Sequence, residues 1–110
     1  MCIRDRHQVE YEDIAYNLDS KTMLLTTYYE TDEIEPLYSL FESFRVYLNR
    51  NKKITVDRKR RYLNLIKFSK KLSKMIPGDK KALAKIKKEV EETKNVASLK
   101  WLKEKIAELE

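Results

Sequence analysis

Turn chemistry is almost absent from this sequence: one glycine and two prolines serve 110 residues. Sheets built from hairpins reverse direction every few residues, and they use glycine, proline and asparagine to do it. A chain so poor in these residues and so rich in Leu, Lys and Glu is predicted to be all-α. The length is that of one domain or part of one, with room for a modest core.

Apolar spacing and capping residues divide the chain into about five helices. Residues 7–18, "HQVEYEDIAYNL", show no sustained helical period and read as a connector. Asp19 or Ser20 then caps a first helix that runs to about Glu30, with Met23, Leu24, Leu25, Tyr28 and Tyr29 spread over a broad face. Asp32 or Glu33 caps the second helix, and Pro36 sits in its first turn, where a missing N–H costs little. Leu37, Leu40, Phe41, Phe44 and Leu48 recur at spacings of three and four, which marks one apolar stripe. Thr55 caps a third helix over about 56–75. "PGD" at 77–79 stops it, and Asp79 caps a fourth over about 80–94. Ser98 caps the last, whose stripe is Leu99, Leu102, Ile106 and Leu109, with Trp101 beside it. Lys85–Glu89, Lys87–Glu91, Lys88–Glu92 and Lys100–Glu104 are spaced as surface pairs worth about 0.2–0.5 kcal/mol each.

Charge is divided unevenly. Residues 1–49 hold 4 Lys/Arg against 10 Asp/Glu, and residues 50–110 hold 20 against 8. The halves therefore carry −6 and +12, so they could pair with each other or meet different partners. No apolar run reaches the roughly 18 residues of a membrane span. The single cysteine excludes a disulfide framework and fits a reducing compartment, which places the chain in the cytoplasm.

Two resemblances bear on organisation. "MCIRDR" at residues 1–6 resembles the translation of a transposon end used in sequencing libraries. On that reading it is a sequencing artefact to be set aside from the fold, and the natural protein extends upstream. Residues 18–51 fit one window of the tetratricopeptide pattern W-x2-L-G-x2-Y, A-x3-F, P. Leu24 matches its leucine, Tyr28 its tyrosine and Phe41 its phenylalanine. Lys21, Leu25, Leu37 and Asn49 depart from its tryptophan, glycine, alanine and proline. "LLTTYYETDEIEPLYSLFESFRVYLNRNK", "RRYLNLIKF" and "PGDKKAL" look like the end of bacterial tetratricopeptide-like proteins. The resemblance implies a helix pair over 19–51 and a basic three-helix cap over 52–110, and it brings no activity with it. A repeat buries its apolar face against neighbours, so the first helix is expected to show exposed apolar side chains among Met23, Leu24 and Tyr28.

Sites for chemistry are few. Cys2 and His7 are too few ligands for a structural zinc, which takes four. Gly78 alone makes no phosphate-cradling loop. Glu30, Asp32, Glu33 and Glu35 read as helix-end carboxylates, because nothing nearby supplies a nucleophile or an apolar pocket that would raise a pKa. Neither an enzyme nor a cofactor is implied. Binding remains. Leu24, Tyr28, Tyr29 and Tyr38 are candidates for gripping a protein or peptide, since tyrosine is enriched at binding hot spots. Arg50, Lys52, Lys53, Arg58, Lys59, Arg60 and Arg61 are candidates for a nucleic acid or another polyanion. Four successive cations at a helix start oppose its dipole, and a bound anion relieves that. The leading expectation is a non-catalytic protein-binding or scaffolding module. A small basic polyanion-binding domain is second.

Overall fold

The computed structural model describes the backbone of residues 6–110 and the side chains of residues 13–110. Residues 1–5, with Cys2 and most of the "MCIRDR" stretch, and the His7 side chain lie outside the described residues. The fold is all-α: α1 Arg6–Glu30, α2 Ile34–Arg50, α3 Val56–Ser73, α4 Lys80–Glu92 and α5 Leu99–Leu109. The chain divides into two compact units, residues 1–40 and residues 41–110, and the break falls within α2.

In the first unit the expected connector over 7–18 is helix. Nothing caps a start at Asp19 or Ser20, because α1 passes straight through them. Ile14, Leu18 and Leu25 are buried along one side of α1, at 5%, 0% and 0% exposure. Tyr16 and Met23 stand on the opposite side, at 73% and 70%. Apolar residues on both faces flatten the 3.6-residue period by which a helix is recognised in sequence. The threonines that lower helix propensity are accommodated by back-bonding. Thr22 donates to the Leu18 carbonyl at 2.7 Å and Thr26 to the Met23 carbonyl at 3.0 Å.

Asp32 proves to be the end of α1 rather than the cap of α2. Its φ is +57°. The Glu33 N–H donates to the Tyr28 carbonyl at 3.0 Å, and the Asp32 N–H to the Tyr29 carbonyl at 3.3 Å. This pair of bonds around a left-handed residue is a Schellman motif. Glu33 takes the cap position of α2, where its carbonyl accepts the first intrahelical bond, from Leu37, at 3.0 Å. The predicted stripe of α2 is buried throughout: Leu37, Phe44 and Leu48 are at 0%, Phe41 at 4% and Leu40 at 9%.

The second unit is built on α3, which packs against α4 and α5, while α4 packs against α5. Residues 80–87 of α4 line a groove with residues 108–110, and residues 87–91 line one with 103–110, so α4 and α5 run antiparallel. Two predicted caps form. The Thr55 hydroxyl accepts from the Arg58 N–H at 3.2 Å, and the Asp79 carboxylate from the Ala82 N–H at 3.1 Å. "PGD" makes a type II turn: the Asp79 N–H reaches the Ile76 carbonyl at 3.1 Å, and Gly78 takes φ +91° at the position that requires it.

Ser98 departs from expectation. It is left-handed, at φ 53° and ψ 39°, and its side chain makes no cap bond. The segment it ends is instead tied to α3. The Asn95 side chain donates to the Asp57 carboxylate at 2.8 Å and to the Asp57 carbonyl at 3.1 Å. Asn64 donates to the Asn95 carbonyl at 2.8 Å, and the Ala97 N–H to the Arg61 carbonyl at 3.1 Å. Thr55→Ala is therefore expected to cost about 1 kcal/mol, whereas Ser98→Gly should stabilise by up to about 1 kcal/mol, the roughly 1–2 kcal/mol relieved at a left-handed residue less the roughly 0.4–1 kcal/mol of chain entropy that glycine adds to the unfolded state. Denaturant midpoints of the two variants check both signs.

Ion pairing between helices also overrides the expected i,i+4 pattern. Glu89 meets Lys71 of α3 at 2.8 Å, and Lys87 meets Glu110 at 3.2 Å. Lys88–Glu92 keeps the intrahelical spacing at 4.0 Å. The Lys71 hydrogen bond is the main cause that holds the Glu89 carboxyl below its usual range, with burial opposing. A carboxyl lowered in the folded state contributes stability above its unfolded pKa and loses it as pH falls through the folded one. The pair is partly exposed, at 43% for Lys71 and 29% for Glu89, so the contribution is below about 1 kcal/mol. Glu89→Gln should flatten the acid limb of a stability–pH curve by that amount.

Candidate functional site

The candidate protein-binding residues differ in exposure. Leu24 is exposed at 43%, while Tyr28, Tyr29 and Tyr38 are half-buried. The outward face of α1 is instead led by Tyr16 and Met23, seven residues apart, with Leu24 at its edge. The expected exposure of Met23 and Leu24 is present. Tyr16 lies in a segment without a sustained helical period, which hides it in the sequence. Read as helix, the Tyr16–Met23 spacing would have found it. Asp13, Asp19 and Glu30 are exposed and lie within about 60° of that line on a 3.6-residue helix, so the apolar face has acidic flanks. The remaining acidic cluster, Asp32, Glu33 and Glu35, is exposed beside the junction of α1 and α2.

The basic run also separates. Successive helical residues turn by about 100°, so four in a row cannot share a face. Arg58 lies seven residues before buried Leu65, and Arg61 seven before buried Phe68. Both extend the core side of α3 beyond the end of the core. Arg60 faces away, and Lys59 borders that outward side. Arg60, Leu63, Lys67, Lys70 and Lys74 continue the outward side at spacings of three, four, three and four. Of these, Arg60, Lys67, Lys70 and Lys74 are exposed, and Leu63 is half-buried. Lys67 has its ammonium 5.4 Å from the centre of the Phe68 ring. Arg50, Lys52 and Lys53 are exposed around the end of α2.

Asp57, the one acid in the first turn of α3, spends its carboxylate on Asn95. No Asp or Glu follows it until Asp79. Acids from neighbouring helices reach the stripe at its edges. Glu42 lies near Lys70, but its pairing with Arg45 is what chiefly lowers its pKa. Glu89 is taken by Lys71.

Lys105 was not anticipated as a core residue. It is 8% exposed in α5, its ammonium 3.2 Å from both Glu108 carboxylate oxygens and 6.0 Å from the Trp101 ring. A long aliphatic stem lets a lysine line a core while its head reaches a partner. Among the described residues no group of three His, Cys, Asp or Glu side chains is placed to hold a metal. No described helix is long and apolar enough to cross a membrane. In comparisons with protein-family models, curated proteins and solved structures, no match to this chain was found.

Proposed function

We propose that this chain is a non-catalytic protein-binding or scaffolding module of the tetratricopeptide-like helical-repeat kind. The observation that carries the reading is the two-faced α1. Its inner side is buried at Ile14, Leu18 and Leu25, and its outer side still presents Tyr16 at 73%, Met23 at 70% and Leu24 at 43%. In repeat architectures a helix buries one side against its own unit and offers the other to a neighbour. Clustered exposed apolar groups with a polar rim mark interaction surfaces. The partner that fits is a helix with an apolar stripe and basic flanks, opposite Asp13, Asp19 and Glu30. The lysine-rich outer faces of α3, α4 and α5 suit the polar exterior of a capping element.

The test compares proteins captured by the immobilised chain with those captured by Met23→Glu/Leu24→Glu and by Lys67→Gln/Lys70→Gln. Both pairs are at exposed positions, so circular dichroism should show the fold retained. The α1 variant should lose specific partners by thirtyfold or more in affinity, about 2 kcal/mol, the scale of a hot spot. The α3 variant should keep them. Partners held equally well by the α1 variant would overturn the reading.

A further inference from the structure

We propose that this chain associates with a second copy of itself head to tail, the outward face of α1 at Tyr16 and Met23 docking on the outward face of α3 at Val56 and Leu63. This deepens the protein-binding reading and rests on it, since it names the partner of the α1 face. Tyr16 and Met23 lie two helical turns apart, about 10.5 Å along the axis, and are exposed at 73% and 70%. Val56 and Leu63 have the same separation, with Val56 exposed at 73% and Leu63 half-buried. Charges of opposite sign flank the two lines. Asp13 and Asp19 stand about 60° to either side of Tyr16, and Lys59 and Arg60 about 50° to either side of Val56 and Leu63. Asp13, Asp19 and Arg60 are exposed, and Lys59 is half-buried. Asp57, the acid nearest this patch in sequence, lies about 100° round from Val56 and holds Asn95.

The sign of the flanks selects the occupant. Two α1 faces packed together would set Asp13 and Asp19 against their own copies, and two α3 faces would do the same with Lys59 and Arg60. Like charges so placed oppose association. The unlike pairing sets apolar against apolar and carboxylate against cation, on two lines of equal length. It also follows the division of charge along the chain, −6 over residues 1–49 and +12 over residues 50–110. A contact two turns long falls below the roughly 1,200 Å² of a standard interface, so a weak association that grows with concentration is expected. Because the contact joins two different faces, further copies can add or the set can close into a ring.

The experiment is sedimentation velocity of the full chain over a concentration series reaching about 1 mM, the upper end of weak binding. The average mass should rise with concentration. Tyr16→Glu/Met23→Glu and Val56→Glu/Arg60→Glu should each weaken self-association by about thirtyfold or more. Lys100→Glu/Lys103→Glu, at exposed positions of α5, changes charge away from both faces and should leave association unchanged. An equimolar mixture of the first two variants should associate again and stop at a 1:1 complex, because one keeps its α3 face and the other its α1 face. That recovery also shows that both variants are folded. A chain that stays monomeric throughout the series overturns the proposal. So does self-association that survives the α3 substitutions, or a mixture that fails to associate while both variants keep the circular dichroism of the unaltered chain. A monomeric chain that still captures other proteins through Tyr16 and Met23 would overturn this inference and leave the protein-binding reading standing.

Discussion

Phe68→Ala should lower the unfolding free energy by about 3–5 kcal/mol, the largest effect of any single substitution considered for this chain. Phe68 is 1% exposed in α3, the helix that both α4 and α5 pack against. Removing the ring takes away its transfer free energy and leaves a cavity, because neighbouring helices relax only partly. A domain of this size has about 5–15 kcal/mol in all, so the variant should sit near the edge of folding at 37 °C. The measurement is a urea titration with Val56→Ala as the control. Val56 is 73% exposed in the same helix, and its truncation should stay within about 0.5 kcal/mol. Similar midpoints for the two variants would show that α3 is not the centre of this unit.

Ser20→Pro should cost about 3 kcal/mol or more. Position 20 lies inside α1, fourteen residues after Arg6. Proline there removes a backbone donor, and its ring clashes with the carbonyl one turn back. The substitution separates the two readings of the N-terminal third. Had the first helix begun with a cap at Asp19, position 20 would be its first residue, where proline is well tolerated. Loss of helical ellipticity together with a lowered midpoint supports the long helix. A neutral result would return residues 7–18 to a connector.

The contrast between α2 and α1 shows what makes an element legible. α2 has its apolar residues on one side, so Leu37 through Leu48 could be placed in the core from spacing alone, and they are buried. α1 carries apolar residues on two sides, and the period by which a helix is recognised cancels. Caps follow the same logic. Thr55 and Asp79 act through a local bond to a backbone N–H three residues on, and both form as expected. Asp32 and Ser98 have the right side chains for caps but occupy left-handed positions set by the geometry of the joints. The basic run was visible as composition. Its division into a core-side pair and an outward stripe depends on which side of α3 is buried.

What the sequence determined by itself is the helical class, the capped starts of α3 and α4, the helix stop at "PGD" and the single-sided stripe of α2. Each rests on interactions within about four residues, and local composition specifies those directly. Only the tertiary structure decided the continuity of α1, the capture of Asp57 and Arg61 by the segment before α5, the pairing of Glu89 with Lys71 and the burial of Lys105. These are settled by contacts between residues distant in the chain or by the face a helix turns to its neighbours. Burial and interhelical bonding there outweigh the few tenths of a kcal/mol by which local propensity distinguishes the alternatives.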